Sequence, residues 1–473
     1  MDHSAFVEPE AATELADAVR RLARGSALVI GDVMLDRYIY GDVERVSREA
    51  PVPILNVQRE LSVPGGAGNV VRNLVALGAA VAFVSVVGDD QAGSDLTGLI
   101  GGQPGVEPWL LVQGSRVTTQ KTRFVAQGQQ LLRTDREETG PIHPKLVERM
   151  LRIAIDAMAA TSVTVLSDYC KGVLDGDVPG KLIAAAKLAN RRVLVDLRGT
   201  DFARYAGADV IMPSRDGLAR ATGLPVKTNA AVAVAAERLR HEHGFGAVVV
   251  TRAEDGMTLV SDEGTWHYRA EAAEVFDVSG AGDTAVATLA AGLAAGLDLS
   301  VAARLANIAA GVVVGKVGIA VARESDLLAA ITPQGGALRK IVTRETAAER
   351  VERWRRTGLR TGFMRGVFAD AAEAAMLLEQ ARAVCDRLVV GVDGAPTVTA
   401  NEPAPARAAR LAGLPGVDLV VIDADENPME LLQALRPDML VEATRPLRGA
   451  SAGADLLGSW GGRVISLQPD TGD

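Results

Sequence analysis

Asp277-Val-Ser-Gly-Ala-Gly-Asp-Thr-Ala-Val-Ala287 is the stretch on which the reading of this chain turns. It follows Trp266-His-Tyr-Arg269 and Val275-Phe276, whose β-branched and aromatic side chains suit extended backbone. After it comes an Ala/Leu-rich run reaching Gly292-Leu293, composed of strong helix formers. A glycine-rich turn therefore delivers a carboxylate to a helix N-terminus. Small residues at Gly280, Ala281 and Gly282 leave backbone N–H groups unshielded, and the first-turn amides and helix dipole favour an anion there. Phosphate is the anion such turns commonly hold. Asp283 stands where it accepts a proton from a hydroxyl attacking a phosphoryl group on those amides. The same residues also describe an ordinary capped helix, because Asp is a preferred N-cap and Gly is common beside one.

Outward from this turn, the chain alternates strand, loop and helix. Ser26-Ala-Leu-Val-Ile-Gly31 is a short apolar run ending in Gly-Asp, the pattern of a buried parallel strand whose C-terminal end faces a ligand crevice. Asp32 and Asp36 then stand at that rim. Residues 38–63 alternate in polarity and contain Pro51-Val-Pro53, which predicts exposed or edge strands forming a flap or an oligomer contact. Pro64-Gly-Gly-Ala-Gly-Asn69 opens a helix ending near Gly78, a second glycine-rich turn into a helix, followed by a strand over 81–88.

Residues 117–135 read as two strands joined at Gln127-Gly-Gln129, carrying Lys121, Arg123 and Arg133. Helices over 144–159, 179–189, 229–243 and 300–315 alternate with strands over 162–167, 192–196, 209–212 and 247–251. Asp168 with Lys171, and Asp196 with Arg198, each follow a strand's C-terminal end. Thr332-Pro-Gln-Gly-Gly336 marks a composition break before a charged helix over 343–356. Strand and helix patterns alternate again to the end. The expected layout is a larger α/β domain over 1–331, a linker and charged helix over 332–358, and a smaller Rossmann-like α/β domain over 359–473.

Composition narrows the function classes. A chain of 473 residues is long enough for two or three domains. Its net charge of −9 argues against nucleic acid or anionic membrane as partners. Two cysteines, Cys170 and Cys385, lack metal or redox spacing, so a reducing cytoplasm fits best. Residues 1–25 form an amphipathic helix pattern without the apolar core of a secretory signal.

Seven motifs, taken together and in order, carry a resemblance: Gly31-Asp-Val-Met-Leu-Asp-Arg-Tyr38, Glu49-Ala-Pro-Val-Pro-Ile54, Pro64-Gly-Gly-Ala-Gly-Asn69, Leu166-Ser-Asp-Tyr-Cys-Lys-Gly172, Gly199-Thr-Asp-Phe202, Val250-Thr-Arg252 and the opening turn. Over about residues 20–325 the chain resembles the heptose-7-phosphate kinases of the ribokinase-like carbohydrate kinase family. That resemblance implies a mainly parallel sheet with helices on both faces and a small β flap. It also implies transfer of the ATP γ-phosphoryl group to the anomeric hydroxyl of a heptose 7-phosphate, with Mg²⁺. By position, Asp283 is the implied base, with Gly280, Ala281 and Gly282 as the anion hole. Asp36, Gly65, Gly66 and Asn69 are implied sugar contacts, beside Asp168, and Arg133 and Lys171 face the substrate's own phosphate. Ser214, Thr251, Gly256 and Asn307 are implied on the nucleotide side. The resemblance also suggests a homodimer.

Two departures from that pattern stand out. The family's Asn-x-x-Glu, which supports Mg²⁺ and its waters, reads Ser214-Arg-Asp-Gly217 here, leaving Asp216 as a weak metal candidate. The smaller domain resembles the adenylyltransferase half of bifunctional enzymes of ADP-heptose synthesis. Such a half depends on a His-x-Gly-His turn, whereas this chain has no histidine after His267, and Glu442 stands where a lysine is usual. Three readings follow: a sugar-phosphate kinase whose second domain has lost nucleotidyl transfer, a non-catalytic sugar-phosphate-binding or partner protein, and a fully bifunctional enzyme.

Overall fold

The computed structural model describes residues 9–127, 129–270, 275, 277–316, 318–331, 340–365, 371–393, 403–414, 416–423, 428–443 and 450–467. Two compact units divide the chain, one spanning Thr13–Leu328 and the other made of the residues up to Ala12 and from Ala329, so the helices Pro9–Arg21 and Glu324–Ile331 run across the division. The expected break over 332–336 lies outside the described residues. Among the described residues, no helix is long and apolar enough to cross a membrane.

In the first unit the strands are β1 (Ser26–Gly31), β2 (Val33–Val46), β3 (Pro53–Gly66), β4 (Ala80–Gly88), β5 (Val106–Gln113), β6 (Gln120–Ala126), β7 (Gln129–Arg136), β8 (Val163–Asp168), β9 (Arg192–Leu197), β10 (Val210–Ile211), β11 (Ala247–Thr251), β12 (Met257–Ser261) and β13 (Gly264–Tyr268). Its helices are α1 (Pro9–Arg21), α2 (Ala67–Ala76), α3 (Gln91–Gly101), α4 (Pro144–Met158), α5 (Val178–Leu188), α6 (Arg215–Thr222), α7 (Asn229–His243), α8 (Ala281–Ala294), α9 (Leu299–Val314) and α10 (Glu324–Ile331). Nine strands form one sheet in the order β13-β12-β11-β10-β9-β8-β1-β4-β5. From β10 to β5 the pairs are parallel, and β12 and β13 extend the sheet as antiparallel strands.

β1 is apolar because both its faces are covered: every residue from Ala27 to Ile30 is fully buried. It lies between β4 and β8, where the chain order reverses direction, and the carboxyl ends of strands at such a switch point border a crevice. Helix α8 is buried along its whole length from Asp283 to Leu293, which accounts for its small, unpatterned side chains. A Cβ at Gly292 would come within 2.7 Å of Ala302 Cβ on α9, so glycine there permits the close packing of the two helices.

The flap is a four-stranded sheet, β3-β2-β6-β7. Its β2–β3 ribbon runs from Val33 opposite Gly66 out to Val46 opposite Pro53. The ribbon is longer than the sequence pattern over 38–63 predicts. Residues 33–36 are buried at its base, so the alternation that marks an exposed strand begins only further out. The expected hairpin over 117–135 is present as β6 and β7, paired antiparallel.

The second unit holds β14 (Ile341–Val342), β15 (Thr361–Arg365), β16 (Arg387–Asp393), β17 (Leu419–Asp423), β18 (Met439–Ala443) and β19 (Arg463–Leu467). They form a parallel sheet in the order β14-β17-β16-β15-β18-β19. Apolar clusters built around Leu378 and Leu388, and around Val389 and Leu431, cover its two faces. This is the doubly wound arrangement expected of a Rossmann-like unit, with its switch point between β15 and β18. The segment where a His-x-Gly-His turn is sought lies partly outside the described residues, which resume at Ala371.

Gly31 sits where β1 presses against β8, and a Cβ there would fall 2.0 Å from the Ser167 carbonyl oxygen. Gly31→Ala is expected to destabilise the first unit by about 1–3 kcal/mol, because neither backbone can move aside. Urea unfolding monitored by circular dichroism checks this, and an unchanged midpoint contradicts it.

Candidate active site

Asp283 lies in the first turn of α8, after Gly280, whose left-handed backbone (φ +79) turns the chain into the helix. Its carboxylate is 7% exposed and both oxygens are held. Oδ2 accepts from Asn69 Nδ2 at 2.9 Å. Oδ1 accepts from Arg198 Nη2 at 3.0 Å and from the Tyr169 hydroxyl. The amides of Gly282 and Asp283 belong to the first turn, where a helix leaves N–H groups without intrahelical partners.

Each of these partners is itself fixed. Asn69, on α2, receives Arg72 Nη1 at 3.0 Å on its Oδ1, which leaves Nδ2 to face Asp283. Tyr169 comes from the loop after β8, which is tied down by Asp32. The Asp32 carboxylate accepts from the backbone N–H groups of Tyr169 (2.9 Å), Lys171 (3.0 Å) and Val173 (3.0 Å). Burial pushes Asp32 up to about 6, against the lowering effect of those N–H donors. Asp168 holds the same loop from the other side, accepting from Cys170 N (2.7 Å), Tyr205 Oη (2.5 Å) and Arg204 Nη2 (3.3 Å).

Asp36 approaches from β2 and accepts from Arg123 Nη1 of β6 at 2.5 Å. Burial raises its pKa, partly offset by Arg123. A Cβ at Gly65 would stand 1.9 Å from Asp36 Oδ2, so only glycine lets this carboxylate lie against the turn. Gly66 is left-handed (φ +58) and caps α2. Lys171 Nζ pairs with Glu137 at 2.8 Å. Arg133 sits on the exposed strand β7, paired with Asp135 at 3.0 Å.

The residues expected on the nucleotide side are more dispersed. Ser214 is the N-cap of α6, accepting from Gly217 N at 3.1 Å, and bridges to Thr251 at the end of β11. Gly256 (φ +84) makes the β11–β12 turn, where a Cβ would strike Tyr268 O at 2.0 Å. Asn307 is buried on α9 and donates to the Arg269 carbonyl at 2.7 Å. Asp216 is exposed in the first turn of α6. Among the described residues no three His, Cys, Asp or Glu side chains are grouped to hold a metal ion.

The turn, Asp283, Asn69, Asp36, Gly65 and Gly66 are thus linked through Asp283 and its neighbours at one crevice. Tyr169, Arg72 and Arg123 were not singled out as contacts from the sequence. A signal existed for Arg72, three residues after Asn69 on a helix, and for Arg123, whose strand pairs with that of Asp36. Arg198 was visible only as a cation past a strand end. Asp196, also at the end of β9, is 3% exposed and bonds Arg198 at 3.4 Å. Burial, reinforced by Asp283 and Asp168 against Arg198, pushes it up to about 6.

These features define a class. The chain belongs to the pfkB family of carbohydrate kinases, whose family model matches residues 25–325. Over nearly its whole length it is also similar to the "Bifunctional protein HldE" of Acidiphilium cryptum, 58% identical across 96% of this chain and 95% of that protein. The protein of the same name from Paramagnetospirillum magneticum is 48% identical across 95% of each chain. Among solved structures, Arabidopsis thaliana ribokinase complexed with ribose and ATP aligns with a TM-score of 0.53 at 20% identity, covering 65% of this chain and 99% of that one. Escherichia coli phosphofructokinase-2 aligns at 0.57 and 17% identity, covering 65% and 98%. Both likenesses establish the ribokinase-like fold of the first unit.

Asp196 gives the site a pH signature. A carboxyl whose folded pKa lies above its unfolded value favours folding while protonated, and that contribution is lost as pH rises through the folded value. Between the ordinary value of 3.8 and about 6, wild type should lose up to about 3 kcal/mol relative to Asp196→Asn. Denaturant unfolding of both proteins at pH 4 and 7.5 measures the difference; a gap that does not change with pH contradicts it.

Proposed function

We propose that this chain transfers the γ-phosphoryl group of ATP to the anomeric hydroxyl of a heptose 7-phosphate, forming heptose 1,7-bisphosphate in nucleotide-activated heptose synthesis. The observation that carries this reading is Asp283: a buried carboxylate, held on both oxygens by side-chain donors, one helical turn from the Gly280 backbone turn. That arrangement suits a general base beside an anion site. The similarity to proteins named HldE over nearly the whole chain supports the choice of a sugar phosphate.

In this reading Asp283 takes the hydroxyl proton while Gly280, Ala281 and Gly282 receive the phosphoryl oxygens. Asp36, Gly65, Gly66 and Asn69 meet the sugar beside Asp168, and Asp32 holds the Lys171 backbone. Lys171 and Arg133 trade their carboxylate partners for the substrate's phosphate. Ser214, Thr251, Gly256 and Asn307 border the nucleotide. Mg²⁺ would enter with the ATP phosphates, as this ion commonly does in phosphoryl transfer, with Asp216 the carboxylate candidate beside it. Leu61, Leu131 and Leu132, each about half exposed on the flap, support a homodimer joined there.

An ADP-release assay over pentose, hexose and heptose phosphates tests the substrate. Asp283→Asn should lower kcat by about 10²–10⁴-fold while ATP still binds. An unchanged rate would remove Asp283 as the base, and binding without turnover in wild type would favour a non-catalytic role.

For the second unit we propose a retained fold without nucleotidyl transfer. No histidine follows His267 to stabilise a transferring α-phosphoryl group. The name its relatives carry, "Bifunctional protein HldE", favours the opposite reading. Incubation with ATP and a heptose 1-phosphate decides between them. No pyrophosphate is expected, and pyrophosphate release at the rate of the kinase step would overturn the loss.

A further inference from the structure

We propose that Arg198 is a second catalytic residue, whose guanidinium leaves Asp283 as the substrates bind and closes on the phosphoryl group in transfer. This rests on the reading of Asp283 as the base.

Asp283 accepts three hydrogen bonds, two of them on Oδ1, so a substrate hydroxyl that approaches Oδ1 has to displace a donor there. Asn69 is 1% exposed and pinned by Arg72, so it is poorly placed to move. Tyr169 is held through its own backbone by Asp32. Arg198 is the accessible partner, its side chain 38% exposed. The carboxylate therefore opens on the arginine side.

The guanidinium already lies where the phosphoryl group is expected. A Cβ at Gly282 would fall 3.0 Å from Arg198 Nη2 and 3.4 Å from Nη1, so glycine at 282 lets the planar group rest against the anion turn. All of its hydrogen bonds among the described residues use one nitrogen: Nη2 reaches Asp283 (3.0 Å), Tyr169 Oη (3.2 Å) and Asp196 (3.4 Å). Nη1, 3.4 Å from a Cβ placed at Gly282, makes no hydrogen bond among the described residues. A guanidinium edge of that kind matches two phosphoryl oxygens. The Tyr169 ring, whose centroid lies 5.1 Å from the Arg198 Cζ, and the buried Asp196 hold the group beside the turn while Nη2 rotates off Asp283.

The chemical step balances with ATP as donor. The sugar hydroxyl oxygen bonds to the γ-phosphorus, the bond from that phosphorus to the β-phosphate oxygen breaks, and ADP departs with the electron pair. The hydroxyl proton passes to Asp283. Arg198 neutralises charge on the equatorial oxygens, and its withdrawal from Asp283 leaves the carboxylate a stronger proton acceptor at the same moment.

Full-length Arg198→Ala, Arg198→Lys and Asp283→Asn proteins, assayed for ADP release from pH 6 to 9, test the assignment. Arg198→Ala should lower kcat by about 10²–10³-fold at every pH, with KM for the sugar phosphate shifted much less. Added guanidinium should restore part of the rate, and Arg198→Lys should retain part of it without rescue. Two results overturn the proposal: kcat of Arg198→Ala close to wild type, or a loss that disappears as pH rises, which would reduce Arg198 to keeping Asp283 ionised. Retained activity in Asp283→Asn would instead defeat the base assignment while the Arg198 measurements stand on their own. Circular dichroism and ATP binding confirm folding, and Arg198→Lys carries the test should the alanine variant not fold.

Discussion

Everything in the candidate site hangs on one buried carboxylate, Asp32. It directly follows the buried strand β1, and its two oxygens gather backbone donors from three alternate residues of the loop after β8. Its own N–H donates to the Ser167 carbonyl and its carbonyl accepts from Ala67 at the start of α2. One residue thus fixes the ends of two strands and the start of a helix. Tyr169 and Asn69, which flank Asp283 from opposite sides, are each delivered by an element that Asp32 anchors. Burying this carboxylate raises its pKa to about 6, and the three N–H bonds offset part of that cost.

The fold was largely legible in the sequence because buried parallel strands write themselves as short apolar runs. Ser26–Gly31, Ala247–Thr251 and the helix Asn229–His243 fall where the pattern places them. Helix α3 and strand β5 went unread for a physical reason. The helix, Gln91–Gly101, carries three glycines, and β5 is a partly exposed edge strand interrupted by Pro108. Their stability comes from packing, which local composition does not record.

The site was legible in a different way. Gly280, Gly282 and Gly65 announce themselves, since glycine is needed where another group must come close. What spacing does not show is which side chain presses into the space each glycine leaves: Arg198 against Gly282 and Asp36 against Gly65. Pairings across the sheet order, such as Arg198 of the β9 end with Asp283 of α8, cannot be read from spacing because 85 residues separate the partners. In the second unit the parallel strand order follows from the alternating pattern, yet its chemistry would depend on residues between strands, where sequence pattern says least.

The β2–β3 ribbon has a consequence for how this protein can vary. Its ladder slips register twice, between Tyr40 and Gly41 and again between Val43 and Arg45. Inside the first slip, β2 stays paired with β6 from Leu35 through Gly41, so the segment carrying Asp36 is clamped on both edges. Beyond the slips the ribbon is a two-stranded arm whose twist is set locally. Insertions, deletions or a new surface chemistry at the tip are absorbed at these bulges before they reach Asp36. The outer arm can therefore take up changes at its tip with little movement of the inner strand, which uncouples the far end of the flap from the placement of Asp36.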